Sequence, residues 1–272
     1  MCPNSNTRHG AAPIFVATVF KSGTKLIEHI LSELTGLGAT EPEIAAGPDY
    51  ESPRLISFED GKFFIWHSVP SEKVKAQIIS ANAKPIFLIR NIYDLVVSQY
   101  FHFANDVDAE IGHPTNTQDY FAEMSQDEGI ALLLSGATSE RFHWSGFGQS
   151  LRQIQEILKF AKEQSSHIVI YDRLVRSKRQ EIQSLANFLS ITPNEELINQ
   201  LVDTSSLSNM REARKSAVGS GNHFRKGIPG DHVNVLKPFH YHMINWIMLS
   251  QAPELKRLCA DLDCSDVVLR SR

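Results

Sequence analysis

The chain has 272 residues, of which 42% are hydrophobic and 21% are charged, and its formal net charge is −4. These values are typical of a globular protein, and they exclude global disorder and a broad basic surface that wraps nucleic acid. The three cysteines, Cys2, Cys259 and Cys264, have neither the count of a disulfide framework nor the spacing of a zinc site. We find no signal peptide and no apolar run of the roughly 20 residues that span a bilayer, so we expect a cytoplasmic protein without membrane or nucleic-acid partners.

In chain order, short apolar runs alternate with longer segments of helical periodicity, which predicts one α/β domain around a mostly parallel sheet. This domain is expected to take up residues 1–272, with residues 1–12 as a flexible tail. The predicted strands are residues 14–19, 63–66, 85–89 and 167–170. The predicted helices are one between Thr24 and Gly36, then about 72–81, 91 to beyond 100, 118–134, 150–163, 180–189, 239–250 and 253–262. The predicted loops are residues 39–54, 104–117 and 216–232.

Four polar side chains follow the predicted strands directly or after a short turn. They are Lys21, His67, Arg90 and Tyr171. Ligands of open α/β sheets bind outside the carboxyl ends of the strands. The sequence therefore predicts one site that contains two cations, an imidazole and a phenol.

The turn at residues 21–24 (KSGT) suits an anion, because its N–H groups and the following helix N-terminus attract negative charge while Lys21 adds a cation. It is not a Walker A loop, in which the lysine follows the last glycine. From these four residues alone, a solvated strand-to-helix turn is an equally good interpretation.

Two further segments carry cations near glycine or hydroxyl groups. In the helix after Arg90, one stripe is apolar and is expected to face the sheet: Ile92, Val96, Tyr100 and Phe103. A second stripe is polar: Asn91, Asp94, Ser98 and His102. Arg90 and Ser98 would then reach one phosphate, and residues 224–231 (FRKGIPGD) would close over it. The alternative for each segment is an exposed polar surface.

Three segments resemble, in order and spacing, the motifs of the cytosolic type of PAPS-dependent sulfotransferase, where PAPS is 3′-phosphoadenosine-5′-phosphosulfate. VFKSGT at residues 19–24 is similar to the 5′-phosphosulfate loop of that family. IRNIYDLVVSQYFHF at residues 89–103 is similar to its 3′-phosphate segment, and RKG at 225–227 with Gly230 and Asp231 is similar to its C-terminal clamp. The resemblance runs from about residue 14 to residue 234. It implies a P-loop-like, three-layer α/β fold and an enzyme that moves a sulfuryl group from PAPS to a hydroxyl or amine of a small-molecule acceptor, without a metal.

The resemblance also implies roles for individual residues. The 5′-phosphosulfate would be held by Lys21, Ser22, Gly23 and Thr24, with Lys25 beside them. The 3′-phosphate would be held by Arg90, Ser98, Arg225, Lys226 and Gly227. The adenine would contact Tyr171, with Ser205, Leu207 and Met210 lining its pocket. The implied catalytic residues are His67 as general base, Lys21 as the cation at the leaving oxygen, and Ser98.

The chain departs from the family pattern at three positions. Phe20 stands where the family usually has proline, Leu26 where it often has an adenine-stacking tryptophan, and Ile65 where it commonly has a lysine. These departures leave the phosphate-binding positions intact. The second removes a ring that could stack on the adenine, and the third removes a cation that could act in catalysis.

Two other functions are weighed against this one. A phosphate-binding α/β kinase would need a Walker-type loop and carboxylates for Mg²⁺, and we find no clear set. A nucleotide-binding protein without activity would not need an intact His67. A zinc site among His223, His232, His240 and His242 is disfavoured, because the last two do not share a helix face.

The acceptor is expected to lie between residues 39–54, 104–117 and 142–147. Two of these segments are acidic, with Glu41, Glu43, Asp49 and Glu51 in one, and Asp106, Asp108 and Glu110 in the other. One hypothesis is a polar or cationic acceptor. The other is that these acids only solvate surface loops. A homodimer also stays open.

Overall fold

The computed structural model describes residues 12–40, 58–59, 61–67, 70–105, 117–139, 143–218 and 226–269. Apart from Ala12, the predicted tail lies outside these residues. The predicted acidic segments at 39–54 and 104–117 also lie almost entirely outside them.

Five parallel strands form the central sheet, in the order β2-β3-β1-β4-β7. Their bounds are β1 (Ile14–Thr18), β2 (Gly38–Thr40), β3 (Lys62–Trp66), β4 (Lys84–Ile89) and β7 (His167–Ile170). β5 (Ala137–Thr138) and β6 (His143–Trp144) pair as a separate antiparallel ribbon. All four predicted strands are therefore present, and they run in the same direction.

Helices cover both faces of this sheet. In the described part of the chain they are α1 (Thr24–Thr35), α2 (Glu72–Ser80), α3 (Ile92–Ala104), α4 (Thr117–Ala122), α5 (Gln126–Ser135), α6 (Phe147–Glu163), α7 (Tyr171–Arg176), α8 (Lys178–Leu189), α9 (Glu195–Thr204), α10 (Leu207–Val218), α11 (Pro238–Gln251) and α12 (Leu255–Asp261). Two short 3₁₀ helices are also present. Asp231–Asn234 precedes α11, and Ser265–Val267 follows α12.

Alternating strand side chains build a separate core on each face of the sheet. Phe15 and Ala17 of β1 join a cluster formed with α3, α6 and α11, whereas Ile14 and Val16 join one formed with α1, α8 and α9. Successive side chains of a strand point to opposite faces, and a parallel sheet is stable when both faces are covered. The predicted three-layer arrangement is confirmed.

Several elements differ from the prediction, among them the short helix α7, which was not predicted. The loop expected at 39–54 begins with the end of β2, a three-residue edge strand that pairs through its backbone and shows no apolar alternation. The single helix expected at 118–134 is divided into α4 and α5, because Ser125 and Glu128 form a capping box that starts a new helix. Helices α9 and α10 form a stretch in which no helix was predicted, and α10 extends into the loop predicted at 216–232.

Helix α3 begins at the predicted N-cap. The side-chain oxygen of Asn91 accepts the N–H groups of Tyr93 and Asp94 at 3.0 and 3.3 Å. Its side-chain N–H donates to the carbonyls of Asp266 and Leu269, both at 2.8 Å, which joins a late segment of the chain to the start of α3. Asn91 and Asp94 are buried, so the alternative of an exposed polar face is wrong at this end of the helix.

Within the described residues, no helix combines the length and the apolar character needed to cross a membrane.

Candidate functional site

The strand order brings four predicted site residues to one edge of the sheet. β1 lies between β3 and β4, β7 lies beside β4, and all four strands are parallel. Lys21, His67, Arg90 and Tyr171 therefore follow the carboxyl ends of neighbouring strands. The predicted placement at the strand ends is therefore observed, and the assignment of the four residues to one ligand site stays a prediction.

The turn after β1 exposes the N-terminus of α1. The N–H of Ser22 donates to the Val19 carbonyl at 2.9 Å, and its hydroxyl donates to the Leu88 carbonyl in β4 at 3.2 Å, so this buried side chain fastens the turn to the sheet. Gly23, with φ 111°, is the N-cap of α1, and no side chain caps the helix. A helix N-terminus carries partial positive charge and N–H groups without helical partners. The turn can therefore present its backbone to an anion.

Lys21 has a strained backbone at the centre of this turn. Its φ of 67° lies in the left-handed region, which costs a non-glycine residue about 1–2 kcal/mol. Its carbonyl accepts a hydrogen bond from Nη1 of Arg90 at 3.2 Å, and its Nζ lies 3.4 Å from Nδ1 of His102. Strain of this kind is often found at functional sites. Here it brings the turn against Arg90.

Arg90 is a buried cation at the end of β4, with 7% of its surface exposed. Its guanidinium carbon lies 4.4 Å from the centre of the Tyr171 ring. Among the described residues, its buried Nε has no hydrogen-bond partner. A buried donor that lacks an acceptor is costly, and a charged one more so. Arg90 is therefore suited to an anionic ligand that supplies the missing acceptor.

The ring of Tyr171 joins three segments that are distant in sequence. A Cβ atom on Gly23 would lie 2.5 Å from its Cδ2, and one on Gly227 would lie 3.4 Å from its hydroxyl and 3.0 Å from Cδ2 of Leu207. Both glycines have positive φ values, 111° and 65°. Burial raises the pKa of the Tyr171 hydroxyl above its ordinary value, so the phenol stays neutral at pH 7.

His67 lies beside two threonine hydroxyls at the same edge. Oγ1 of Thr18, a fully buried residue, is 2.9 Å from Nδ1 of His67 and 3.0 Å from Oγ1 of Thr24. Oγ1 of Thr24 is in turn 3.5 Å from the same ring nitrogen. The histidine is exposed, whereas its hydroxyl partners are buried. The arrangement can orient an imidazole at the rim of a pocket.

Aromatic rings lie next to Lys21. The ring of Phe20 is 5.1 Å from that of His102 and 6.4 Å from that of Trp144, measured between centroids. Nε1 of Trp144 donates to the Leu133 carbonyl at 2.9 Å, which fixes the indole. Trp144, which belongs to the predicted acceptor wall at 142–147, therefore lies near Phe20.

The cations of the C-terminal motif are only partly described. Nζ of Lys226 lies 3.0 Å from the carboxylate of Asp231, a residue that is 5% exposed. Arg225 lies outside the described residues, and its contact with the 3′-phosphate stays a prediction. Gly227 lies against Tyr171 as given above.

The remaining predicted residues lie on, or directly next to, the helices α1, α3, α9 and α10. Ser98 is half-buried on α3, two helical turns after Arg90. Ser205 is buried and its hydroxyl donates to the Leu201 carbonyl, and Met210 packs on the core that contains Tyr171. Lys25 forms an ion pair with Glu28 at 2.8 Å on the more exposed part of α1.

A buried carboxylate supports the segments that carry Arg90 and Tyr171. Oδ2 of Asp172 accepts the N–H of Asn91 at 3.1 Å. Burial raises the pKa of the Asp172 carboxyl, while this N–H and Arg90 act in the opposite direction. The neighbouring Arg173 forms two hydrogen bonds with the Asp266 carboxylate, at 3.0 and 2.8 Å. The two strand ends are therefore fastened to each other and to the late segment that contains Asp266.

Of the four histidines of the zinc alternative, His223 lies outside the described residues, and His232 and His240 form other hydrogen bonds. Nδ1 of His232 is 2.8 Å from the Tyr241 hydroxyl, and Nδ1 of His240 accepts the N–H of Lys237 at 3.1 Å. In the described part of the chain, no group of three or more His, Cys, Asp and Glu side chains could hold a metal ion.

Sequence reasoning missed Thr18 and gave Asp94 too small a role. Thr18 is the last residue of β1, and the register that pairs Ala17 with Trp66 puts it opposite His67. Asp94 was assigned only to the polar stripe of its helix, but its carboxylate accepts the N–H groups of Gly230 and His232. The buried end of β1 was a signal for Thr18, but the pairing register was not available from the sequence.

Comparisons with known proteins agree with this geometry. A family model described as a sulfotransferase domain matches residues 12–251. Sulfotransferase 2A1 of Macaca fascicularis is 26% identical over 242 residues, which cover 82% of this chain and 78% of the relative. Sulfotransferase 2A1 of Homo sapiens is 25% identical over 240 residues, 81% of this chain and 77% of the relative.

Among solved structures, mouse sulfotransferase SULT7A1 complexed with PAP has a TM-score of 0.66 and 17% identity, covering 93% of this chain and 89% of that one. PAP is 3′-phosphoadenosine-5′-phosphate. This likeness confirms the predicted P-loop-like fold. Because the domain match extends over most of the sequence, from residue 12 to residue 251, the chain belongs to the sulfotransferase family, as its three motifs predicted.

Proposed function

We propose that this protein transfers a sulfuryl group from PAPS to a hydroxyl or amine of a small-molecule acceptor and releases PAP. The observation that carries the proposal is the buried guanidinium of Arg90, whose Nε has no partner among the described residues. It lies at the same strand edge as the uncapped N-terminus of α1. The relatives with this domain and the PAP complex of a protein with a similar fold support the same ligand.

The residues present fit the two phosphorylated ends of such a nucleotide. Arg90 and Ser98, with Lys226 and Gly227 from the C-terminal loop, would hold the 3′-phosphate. The ring of Tyr171, between Gly23 and Gly227, would form one wall for the adenine. Arginine suits this position because its planar fork can contact a phosphate through two N–H groups while its face stacks on a ring.

At the 5′ end, the turn of residues 21–24 would hold the phosphosulfate. The bound nucleotide supplies a sulfuryl group on a good leaving phosphate. The N–H groups at the start of α1 and the ammonium of Lys21 would stabilise the negative charge that grows on the leaving oxygen, as in phosphoryl transfer. Thr24, the first residue of α1, would add its hydroxyl to this set.

His67 would take the proton of the acceptor as the new S–O bond forms and the S–O bond to the leaving phosphate breaks. If Nδ1 donates to the Thr18 oxygen, Nε2 is the nitrogen that accepts this proton. A base that is itself oriented by a hydrogen bond to a third group is a recurring arrangement in enzymes. The proton ends on the imidazole and then passes to solvent, because His67 is exposed.

A direct test is to measure PAP binding by calorimetry and to screen for sulfated products with labelled PAPS and acceptors of four classes: phenols, alcohols, sugars and amines. We expect saturable PAP binding and at least one labelled product, both of which survive EDTA. The absence of PAP binding together with the absence of product in all four classes would refute the proposed function.

For the acceptor, we propose a polar or cationic molecule. The predicted walls at 39–54 and 104–117 are acidic in sequence, and the ring of Phe20, the residue before Lys21, lies 6.4 Å from that of Trp144. Aromatic faces attract organic cations. Tyramine and 4-ethylphenol share the same phenol, and only the first carries an ammonium group. We expect the larger kcat/KM for tyramine, and an equal or larger value for 4-ethylphenol would remove this proposal.

Replacing Gly23 by alanine is expected to weaken PAP binding by about 10- to 100-fold. The new Cβ would lie 2.5 Å from Cδ2 of Tyr171, so the ring must leave its position against Arg90. The φ of 111° adds backbone strain. The measurement is the Kd for PAP by calorimetry.

Gly36 provides a matched control for this variant. It also has a positive φ, 71°, at the other end of α1, but no atom lies within 4 Å of where its Cβ would be. Gly36→Ala should lower the melting temperature and keep the PAP affinity. Equal losses of affinity in the two variants would show that backbone strain, and not contact with Tyr171, is responsible.

A further inference from the structure

The carboxylate of Asp94 binds the backbone of the C-terminal loop. Asp94 is on α3, one turn after Arg90 and one turn before Ser98, and it is 2% exposed. Its Oδ2 accepts the N–H of Gly230 at 2.6 Å, and its Oδ1 accepts the N–H of His232 at 3.0 Å. Each oxygen of one buried anion therefore holds a backbone group 136 or 138 residues away in the sequence.

We infer that Asp94 is a positioning residue for the nucleotide, because it fixes the loop of residues 226–232 at the distance from α3 that a 3′-phosphate requires. The inference rests on the proposed function, in which α3 and this loop contribute the two halves of the phosphate site. Asp94 does not contact the nucleotide in this view. It acts through the loop.

The hydrogen bonds of Asp94 favour this role over one that is confined to the start of α3. The N-terminus of α3 is already capped by Asn91, which accepts the N–H of Asp94 itself. The Asp94 carboxylate is used in tertiary contacts instead. A buried carboxylate is costly unless its oxygens are hydrogen-bonded, and bonds from N–H groups to a charged acceptor are short and strong. The carboxylate thus determines where the loop backbone lies.

The anchored loop carries two residues that are proposed to contact the nucleotide, Gly227 and Lys226. Three residues before Gly230, the backbone of Gly227 lies against Leu207 and the hydroxyl of Tyr171. Between the two anchored N–H groups is Asp231, whose carboxylate binds Nζ of Lys226 at 3.0 Å. The two hydrogen bonds of Asp94 therefore control the position of Gly227 and, through Asp231, that of the Lys226 ammonium.

A loop fixed in advance binds a ligand more tightly than a loop that must become ordered on binding. Without its anchor, the loop would occupy positions in which Lys226 and Gly227 do not meet the phosphate. The loss should appear in nucleotide affinity. The groups assigned to chemistry, His67 and Lys21, are on other segments, because His67 follows β3 and Lys21 lies in the turn after β1.

The test is Asp94→Asn, an isosteric change that removes the charge and turns one acceptor into a donor that faces an N–H group. We expect the Kd for PAP and the KM for PAPS to rise by about 10- to 100-fold, with kcat within about twofold of the wild type. Hydrogen exchange of the Gly230 and His232 amides should accelerate. Unchanged PAP affinity, or a loss confined to kcat, would overturn the inference.

A control separates positioning from general stability. Leu258→Ala truncates a buried side chain of α12 to which no role in the nucleotide site is assigned, and it should lower the melting temperature without changing the Kd for PAP. If it weakens PAP binding as much as Asp94→Asn does, the effect is one of stability and the inference fails.

The wild-type protein gives two further outcomes. If Asp94→Asn does not fold, rapid exchange of the Gly230 and His232 amides in the wild type would still contradict the anchor, and slow exchange that PAP slows further would support it. Failure of the wild type to bind PAP would instead refute the proposed function, and the inference with it.

Discussion

Replacing His67 by alanine is expected to lower kcat for sulfuryl transfer by about 10²- to 10⁴-fold, the usual contribution of a general base. The Kd for PAP should change less than threefold, because the nucleotide contacts proposed above come from other strand ends. Removal of the imidazole also leaves the hydroxyls of Thr18 and Thr24, which are hydrogen-bonded to each other, in position. The measurements are steady-state turnover with labelled PAPS and PAP binding by calorimetry.

His242→Ala is the matched control for this experiment. His242 is an exposed histidine on α11, and its loss should leave kcat within about twofold of the wild type. If His67→Ala turns over as fast as this control, His67 is not the base. If it loses PAP binding as well as turnover, the imidazole supports the nucleotide site and its assignment to proton transfer is wrong.

Replacing Arg90 by alanine is expected to weaken PAP binding by at least about 100-fold. The change removes the guanidinium stacked on Tyr171 and its hydrogen bond to the Lys21 carbonyl. Truncation of one partner of a buried, hydrogen-bonded charge pair commonly costs about 2–5 kcal/mol, and each 1.4 kcal/mol is tenfold in affinity. Arg90→Lys keeps the charge but loses the planar fork, so its affinity should lie between that of the wild type and that of the alanine variant.

Arg257→Ala is the corresponding control, since Arg257 is an exposed arginine of α12 that pairs with Glu254 and Asp261. It should bind PAP as the wild type does. A folded Arg90→Ala protein with a Kd within threefold of that control would contradict the assignment of Arg90 to the 3′-phosphate.

The strand-end residues could be predicted from the sequence because their signals are local. The runs that form β1, β3, β4 and β7 are apolar and short, and helical segments separate them, so a parallel sheet with one ligand-binding edge follows from general rules. His67 and Arg90 directly follow such runs, and Lys21 follows one after a short turn. The two glycines of the site could be named only through family resemblance, since a glycine in a turn has many possible reasons.

The missed features depend on contacts between distant parts of the chain. Thr18 reaches His67 only because β1 and β3 are adjacent in one particular register. Asp94 and Gly230 are separated by 136 residues, and no local pattern links them. β2 has three residues at the sheet edge and no apolar alternation, so pairing with β3 defines it. Local periodicity cannot report such pairings.

The bonds from Asn91 to the carbonyls of Asp266 and Leu269 have a consequence for synthesis on the ribosome. Asn91 emerges about 175 residues before Asp266, so the segment next to Arg90 waits through most of translation for these partners. A nascent chain that stops short of them would lack the two hydrogen bonds that join the residue after Arg90 to the C-terminal segment. Nucleotide bound to the finished site would then stabilise only completed molecules, because a ligand favours the state that binds it.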